Sequence, residues 1–266
     1  MALKEKDTSK LITKYLILVI SFLCGGIFIF KMINSPEKIN LTTYEKQLIE
    51  YFQEVALNSD YGQSPKKTIK WNSKMVLYVS KDKENKNQVI KIEEVIENIN
   101  SLFTDGFKIL LTDDRLKSNA IIFLSSIEQM NKQNPGFFDG INESVAGLSE
   151  IEFDWGSCEI TNSKIFINTD EPIDVQLSAI IEEIAHSIGL PSDSNIHTDS
   201  VFYENQVDEA KLNDEFSQLD IDVIKLLYHP KMKSGFNQFQ AKNTIKRIFK
   251  SEPGDYSVSG YKKNNS

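Results

Sequence analysis

Between Ile173 and Leu190 the chain carries one long helical period with an abrupt stop, and no other segment restricts the fold as strongly. At about 100° per residue, Leu177, Ile181, Ile184 and Ile188 fall on one stripe, while Glu182, Glu183 and His186 cluster on the opposite face. The spacing predicts a helix over 173–188 that packs one side and presents two acids and an imidazole on the other. Gly189 stands where a left-handed C-cap is expected, and Pro191 lies just beyond it. The i, i+4 pair Glu182 and His186 has the spacing at which two side chains of one helix share a metal ion, with Glu183 beside them.

Composition narrows the chemistry available to that face. Histidine occurs only at His186, His197 and His229, so imidazole chemistry must use one of these or recruit carboxylates. Cys24 and Cys158 are the only cysteines, too few for a disulfide framework or a four-cysteine zinc cage. A formal charge of -8 has the wrong sign for a surface built to neutralise phosphates, which argues against nucleic acid as a partner.

From Tyr15 to Phe30 the sequence is uncharged and apolar, flanked by Lys14 and Lys31. Counted outward to Ile33, it reaches the roughly 20 residues a bilayer demands, which predicts a transmembrane anchor over 15–33. A cleaved signal peptide lacks its small-residue site here, and lipidation at Cys24 meets bulky Phe22 and Leu23 before it. Lys4, Lys6, Lys10 and Lys14 favour a cytoplasmic N-terminus for a single-pass protein with its main domain periplasmic or extracellular.

The expected organisation is a cytoplasmic tail (1–14), the anchor (15–33), a tether and N-terminal helix (34–69), a main domain (70–250) and a disordered tail (251–266). Helices are predicted over 43–57, with a Thr42/Glu45 capping box, and over 90–103, 220–228 and 238–249. Strands are predicted from Met75 to Ser80, Phe107 to Thr112 and Ala120 to Ser125. Gly140 and Gly147 mark a loop-rich stretch, and Ser157–Thr161 with Lys164–Asn168 read as an edge hairpin turning at Asn162-Ser163.

The segment Glu182-Glu183-Ile-Ala-His186-Ser-Ile-Gly189 resembles the zincin metallopeptidase helix, H-E-x-x-H, and its H-x-x-G continuation in the metzincin branch. Glu182 replaces the first histidine, and the third-ligand position falls at Ser192, with Asp193 one residue later. The chain also resembles an uncharacterised bacterial family of putative lipoproteins, itself similar to a degenerate zincin. The matches are Glu182, Glu183, Gly189, Leu190, Asp193 and Ser194, then Ser200-Val-Phe202, Leu219-Asp220, Leu226-Leu-Tyr228, Pro230 and Gly235. His186 and His229 stand where that family usually has glutamine and aspartate.

These resemblances imply an α+β, zincin-like fold in which a mixed twisted sheet is backed by the site-bearing helix and followed by a helical C-terminal part. They imply Glu182, His186 and Asp193 as metal ligands, with His197 an alternative third, and Glu183 as catalytic base. The implied cofactor is zinc or another divalent metal, and the altered ligand set favours a site that holds none. Three functions follow. One is a membrane-anchored bacterial envelope protein that binds an extended peptide at Lys164–Asn168 or has altered hydrolase activity. Another is an active zinc metallopeptidase, and the third a non-catalytic pseudoenzyme or interaction protein. The residue-level alternative for Glu182, Glu183 and His186 is a charged helix face with a Glu–His pair near the C-terminus.

Overall fold

β-Branched and aliphatic runs make the strands β1 (Met75–Lys81), β2 (Ile109–Thr112), β3 (Ala120–Ser125), β4 (Gly147–Phe153) and β5 (Ile160–Asn168). In the computed structural model, which describes residues 40–59, 64–81, 85–141, 145–203 and 212–256, these pair in the order β2-β1-β3-β5-β4. β1, β2, β3 and β5 run parallel, and β4 lies antiparallel along β5. The sheet is open, with β2 and β4 at its ends. Six helices among the described residues complete a mixed α+β fold: α1 (Thr43–Leu57), α2 (Lys86–Leu102), α3 (Ile127–Gln133), α4 (Ile173–Ser187), α5 (Gln218–Leu227) and α6 (Gln238–Ser251).

The strand period of two divides the apolar residues between two faces. Ile122, Leu124, Ile165 and Ile167 enter the main core with Ile180, Ile181 and Ile184 of α4, whereas Phe123 and Phe166 turn to a smaller cluster with Met130 and Leu148. Phe137 and Phe138 pack on the latter, Phe138 lying 5.0 Å from Phe166 between ring centres. Helix α4 rests on β4 and β5, and α2 packs beside it. The part of α4 that carries Glu183 thereby meets β4 at Gly147. The capping box at Thr42 and Glu45 forms as the sequence predicts.

Several expectations require correction. Asn162-Ser163 is not a turn: β5 runs straight through it, pairing Ser163 with Ile151 and Asn162 with Glu152. The reversal occurs at Asp154, whose Oδ1 accepts the amides of Gly156 (3.0 Å) and Ser157 (2.7 Å). The stretch after Gly147, read as loop, is β4 itself. Lys164–Asn168 is therefore interior, bonded to β3 on one side and β4 on the other, and no extended peptide can add to it. That removes the surface on which the peptide partner was expected.

The membrane assignment is also corrected. Among the described residues no helix is long and apolar enough to cross a membrane. Residues 15–33, which carried the expectation, lie outside the described residues, as does Cys24. The transmembrane helix preceding the fold, the membrane as partner, the single-pass topology with an extracytoplasmic domain and the membrane-anchored envelope role are all withdrawn. At the other terminus Tyr256 packs on Phe249 with ring centres 5.3 Å apart, and 257–266 lie outside the described residues.

Candidate metal centre

The last turn of α4 is fixed by groups distant in sequence. Trp71 Nε1 donates to the Ser187 carbonyl (3.0 Å), and the buried Tyr228 hydroxyl donates to that of Ile188 (2.8 Å). Both satisfy carbonyls that a helix C-terminus leaves without intrahelical partners. Gly189 then takes φ +107°, and the chain doubles back through Leu190 and Pro191. This reversal brings Asp193 over the helix face.

His186 Nε2 lies 3.2 Å from Asp193 Oδ1 and 3.8 Å from Glu182 Oε1. Its Nδ1 lies 2.6 Å from the Leu190 carbonyl oxygen. A carbonyl can only accept, so Nδ1 carries hydrogen and donates, leaving Nε2 to face the two carboxylates. One ligand atom from each of Glu182, His186 and Asp193 lies within 4.8 Å of the others. The three side chains keep partial access to solvent, at 29%, 12% and 18% exposure. The Phe202 ring packs on the imidazole at 5.1 Å between centres.

Residues 45–247 match the family described as a protein of unknown function (DUF2927). The chain belongs to that family. None of the curated proteins matches the chain. What this DUF2927 domain presents is a partly buried Glu/His/Asp cluster of a composition able to coordinate a metal.

Glu183 faces a drier environment than its neighbours. It is buried, and its Oε2 has no hydrogen-bond partner among the described residues. The first residue of β4 covers it: a Cβ built on Gly147 would stand 2.6 Å from Glu183 Cγ and 2.8 Å from Oε1. Burial pushes the Glu183 carboxyl up to about 8; His186 draws it down, while Glu182 and Asp193 push it further up. For His186, burial alone would lower the pKa, but hydrogen bonds to Asp193 and Glu182 outweigh it and hold the imidazole well above its ordinary range.

A carboxyl whose folded-state pKa is raised keeps its proton more firmly in the folded protein. The stability it contributes is full below its ordinary 4.5 and is lost as pH climbs through about 8. Metal-free protein should therefore lose stability across that window, with His186 acting in the same direction. Glu183→Gln, neutral at every pH, should flatten the fall when urea unfolding is followed from pH 4.5 to 8.5. Parallel curves for the two proteins would assign the effect elsewhere.

The other sequence candidates separate. Ser192 is buried, and its hydroxyl lies 3.5 Å from the adjoining Asp193 carbonyl oxygen. His197 sits against Tyr51, ring centres 4.8 Å apart, with Nδ1 3.4 Å from Gln47 Nε2. His229 Nε2 lies 3.1 Å from Glu252 Oε1, and its Nδ1 accepts the Lys231 amide. Cys158 is buried in the core, at φ +57°. Phe153 packs on Trp155, away from the Phe137 and Phe138 pair. Sequence reasoning missed Gly147, Ser149 and Phe202 as parts of the site. Ser149 Oγ donates to the Glu183 carbonyl at 2.7 Å. The signal for β4 was present in Ser149-Glu-Ile-Glu-Phe153, which alternates with the period of a strand.

Proposed function

We propose that the domain is a metal-dependent hydrolase of the metallopeptidase type, with a divalent ion held by Glu182 Oε, His186 Nε2 and an Asp193 carboxylate oxygen. The observation that carries this reading is the bond from His186 Nδ1 to the Leu190 carbonyl, because it fixes the tautomer and aims Nε2 between two acids, as second-shell carbonyls do for ligating histidines. The likeness of Glu182-Glu183-x-x-His186 to the zincin helix supports hydrolysis as the reaction class. One imidazole with two carboxylates is a harder donor set than three imidazoles, and suits zinc held less tightly or manganese.

When bound, such an ion supplies Lewis acidity toward a carbonyl and an activated water. Glu183 supplies the proton chemistry. Burial raises this carboxyl in the metal-free protein, and a divalent cation beside it would draw it back toward the carboxylate form that serves as base. Its Oε2, which has no hydrogen-bond partner among the described residues, is the atom for that exchange, and Gly147 leaves room for the carboxylate beneath β4.

A structural reading is favoured by one distance: at 3.2 Å, protonated His186 and Asp193 already form an ion pair. Titration separates the two. Metal-stripped chain mixed with Zn2+ or Mn2+ at pH 7 should bind one ion per chain, release protons and gain thermal stability. Absence of uptake at stoichiometric supply leaves the ion pair as the whole of the site.

A further inference from the structure

Asp220 is fully buried at the start of α5, where a capping-box acid needs no burial. Burying a carboxylate is costly unless its lone pairs are met, and here each oxygen meets two donors. Oδ2 accepts the amides of Ser217 (2.9 Å) and Val201 (3.1 Å). Oδ1 accepts the hydroxyls of Ser200 (2.8 Å) and Tyr51 (2.5 Å). Only the Ser217 bond belongs to the cap. The others tie the turn at Ser200 to α1 and α5.

From that turn the contacts lead to the metal centre. Ser200 Oγ accepts the Phe202 amide (2.9 Å), and the Phe202 carbonyl accepts the Ser194 amide (2.7 Å). Ser194 follows Asp193 directly, and the Phe202 ring packs on His186. Two of the three ligand-bearing side chains are thus held by one turn, and that turn by one carboxylate.

We infer that Asp220 is a positioning residue of the centre, holding Ser200–Phe202 so that Asp193 and the His186 ring meet at one point. The inference rests on the metal reading for its consequence, but not for the clamp itself. Ser200→Ala removes the relay between Asp220 and the Phe202 amide while leaving the α5 cap intact. Asp220→Asn turns one acceptor into a donor at nearly constant volume. Both should weaken Zn2+ binding by about tenfold or more, the usual loss when a supporting group of a metal site is removed. Both should alter the visible spectrum of the Co2+-loaded protein. Amide exchange at Ser194 and Phe202 should quicken in the metal-free variants while Ile184, inside α4, keeps its protection.

Unchanged exchange at Ser194 and Phe202 in Ser200→Ala overturns the clamp, as does an unaltered Zn2+ affinity of the variants where the wild-type protein binds the ion. Should Asp220→Asn not fold, Ser200→Ala decides alone. A wild-type chain that takes up no metal, with exchange at Ser194 still raised in the variant, supports the clamp and sinks the metal reading instead.

Discussion

Gly189→Ala should cost the domain about 4 kcal/mol, much of the total stability of an ordinary domain, through two effects that add. At φ +107° an L-residue is strained whatever surrounds it. In addition, the new Cβ would collide with the Ile69 carbonyl oxygen, an atom of the backbone. That backbone cannot drift away, because the segment is held at Lys70 by a bridge to Glu159 and at Thr68 by the Phe236 carbonyl. Gly106→Ala is the control: φ there is +93° with nothing near the added methyl, so strain acts alone, at about 1 to 2 kcal/mol. Urea unfolding of the two variants measures the difference. Equal losses would show that the approach to Ile69 is not what makes glycine necessary. Any Gly189→Ala that remains folded should also bind metal poorly, since the turn after Gly189 carries the Leu190 carbonyl that orients His186.

The sequence made legible those parts whose cause is local. Helix α1 announces itself through the Thr42/Glu45 box and apolar residues at helical spacing, and α4 through its stripe and its glycine stop. β3 was bounded correctly because its apolar run has turn residues on both sides. What failed was pairing. Asn162-Ser163 has turn composition, yet it is strand because β4 lies alongside and leaves Thr161 and Asn162 facing solvent. Once that pair was read as a turn, β4 became loop and β5 became an edge, and the peptide surface assigned there was misplaced.

The same division runs through the site. Glu182 and His186 share a helix face by arithmetic alone. Spacing could not choose between Asp193 and His197 as the third group, since both follow the glycine stop in a polar loop. The choice lies with the Ser194 to Phe202 bond, which folds Asp193 inward, and with Tyr51 and Gln47, which hold His197 elsewhere. Likewise, nothing around Glu183 in sequence predicts a dry carboxylate. Its environment comes from Gly147, a strand away.

His186→Ala should weaken Zn2+ binding by on the order of 100-fold or more, equivalent to about 3 kcal/mol. The imidazole is the one nitrogen donor of the Glu182, His186 and Asp193 cluster, and its hydrogen bond to the Leu190 carbonyl locks its orientation. Its removal also leaves Glu182 and Asp193 facing one another without the cation that separates them at 3.8 and 3.2 Å, so metal-free protein should be destabilised as well. Glu182→Ala and Asp193→Ala each delete one acid but leave Nε2 in place, and should weaken binding less. When no ion is present, each also removes an acid that faces the protonated His186. His197→Ala should bind as the wild type does, because that ring contacts Tyr51 and Gln47 rather than the cluster. Calorimetric titration of the four variants gives the ranking. If His197→Ala weakens binding as much as His186→Ala, the ion sits nearer the Tyr51 side of the turn. If Asp193→Ala is neutral, Glu182 and His186 hold the ion without the returning loop, and the reversal at Gly189 serves the fold alone.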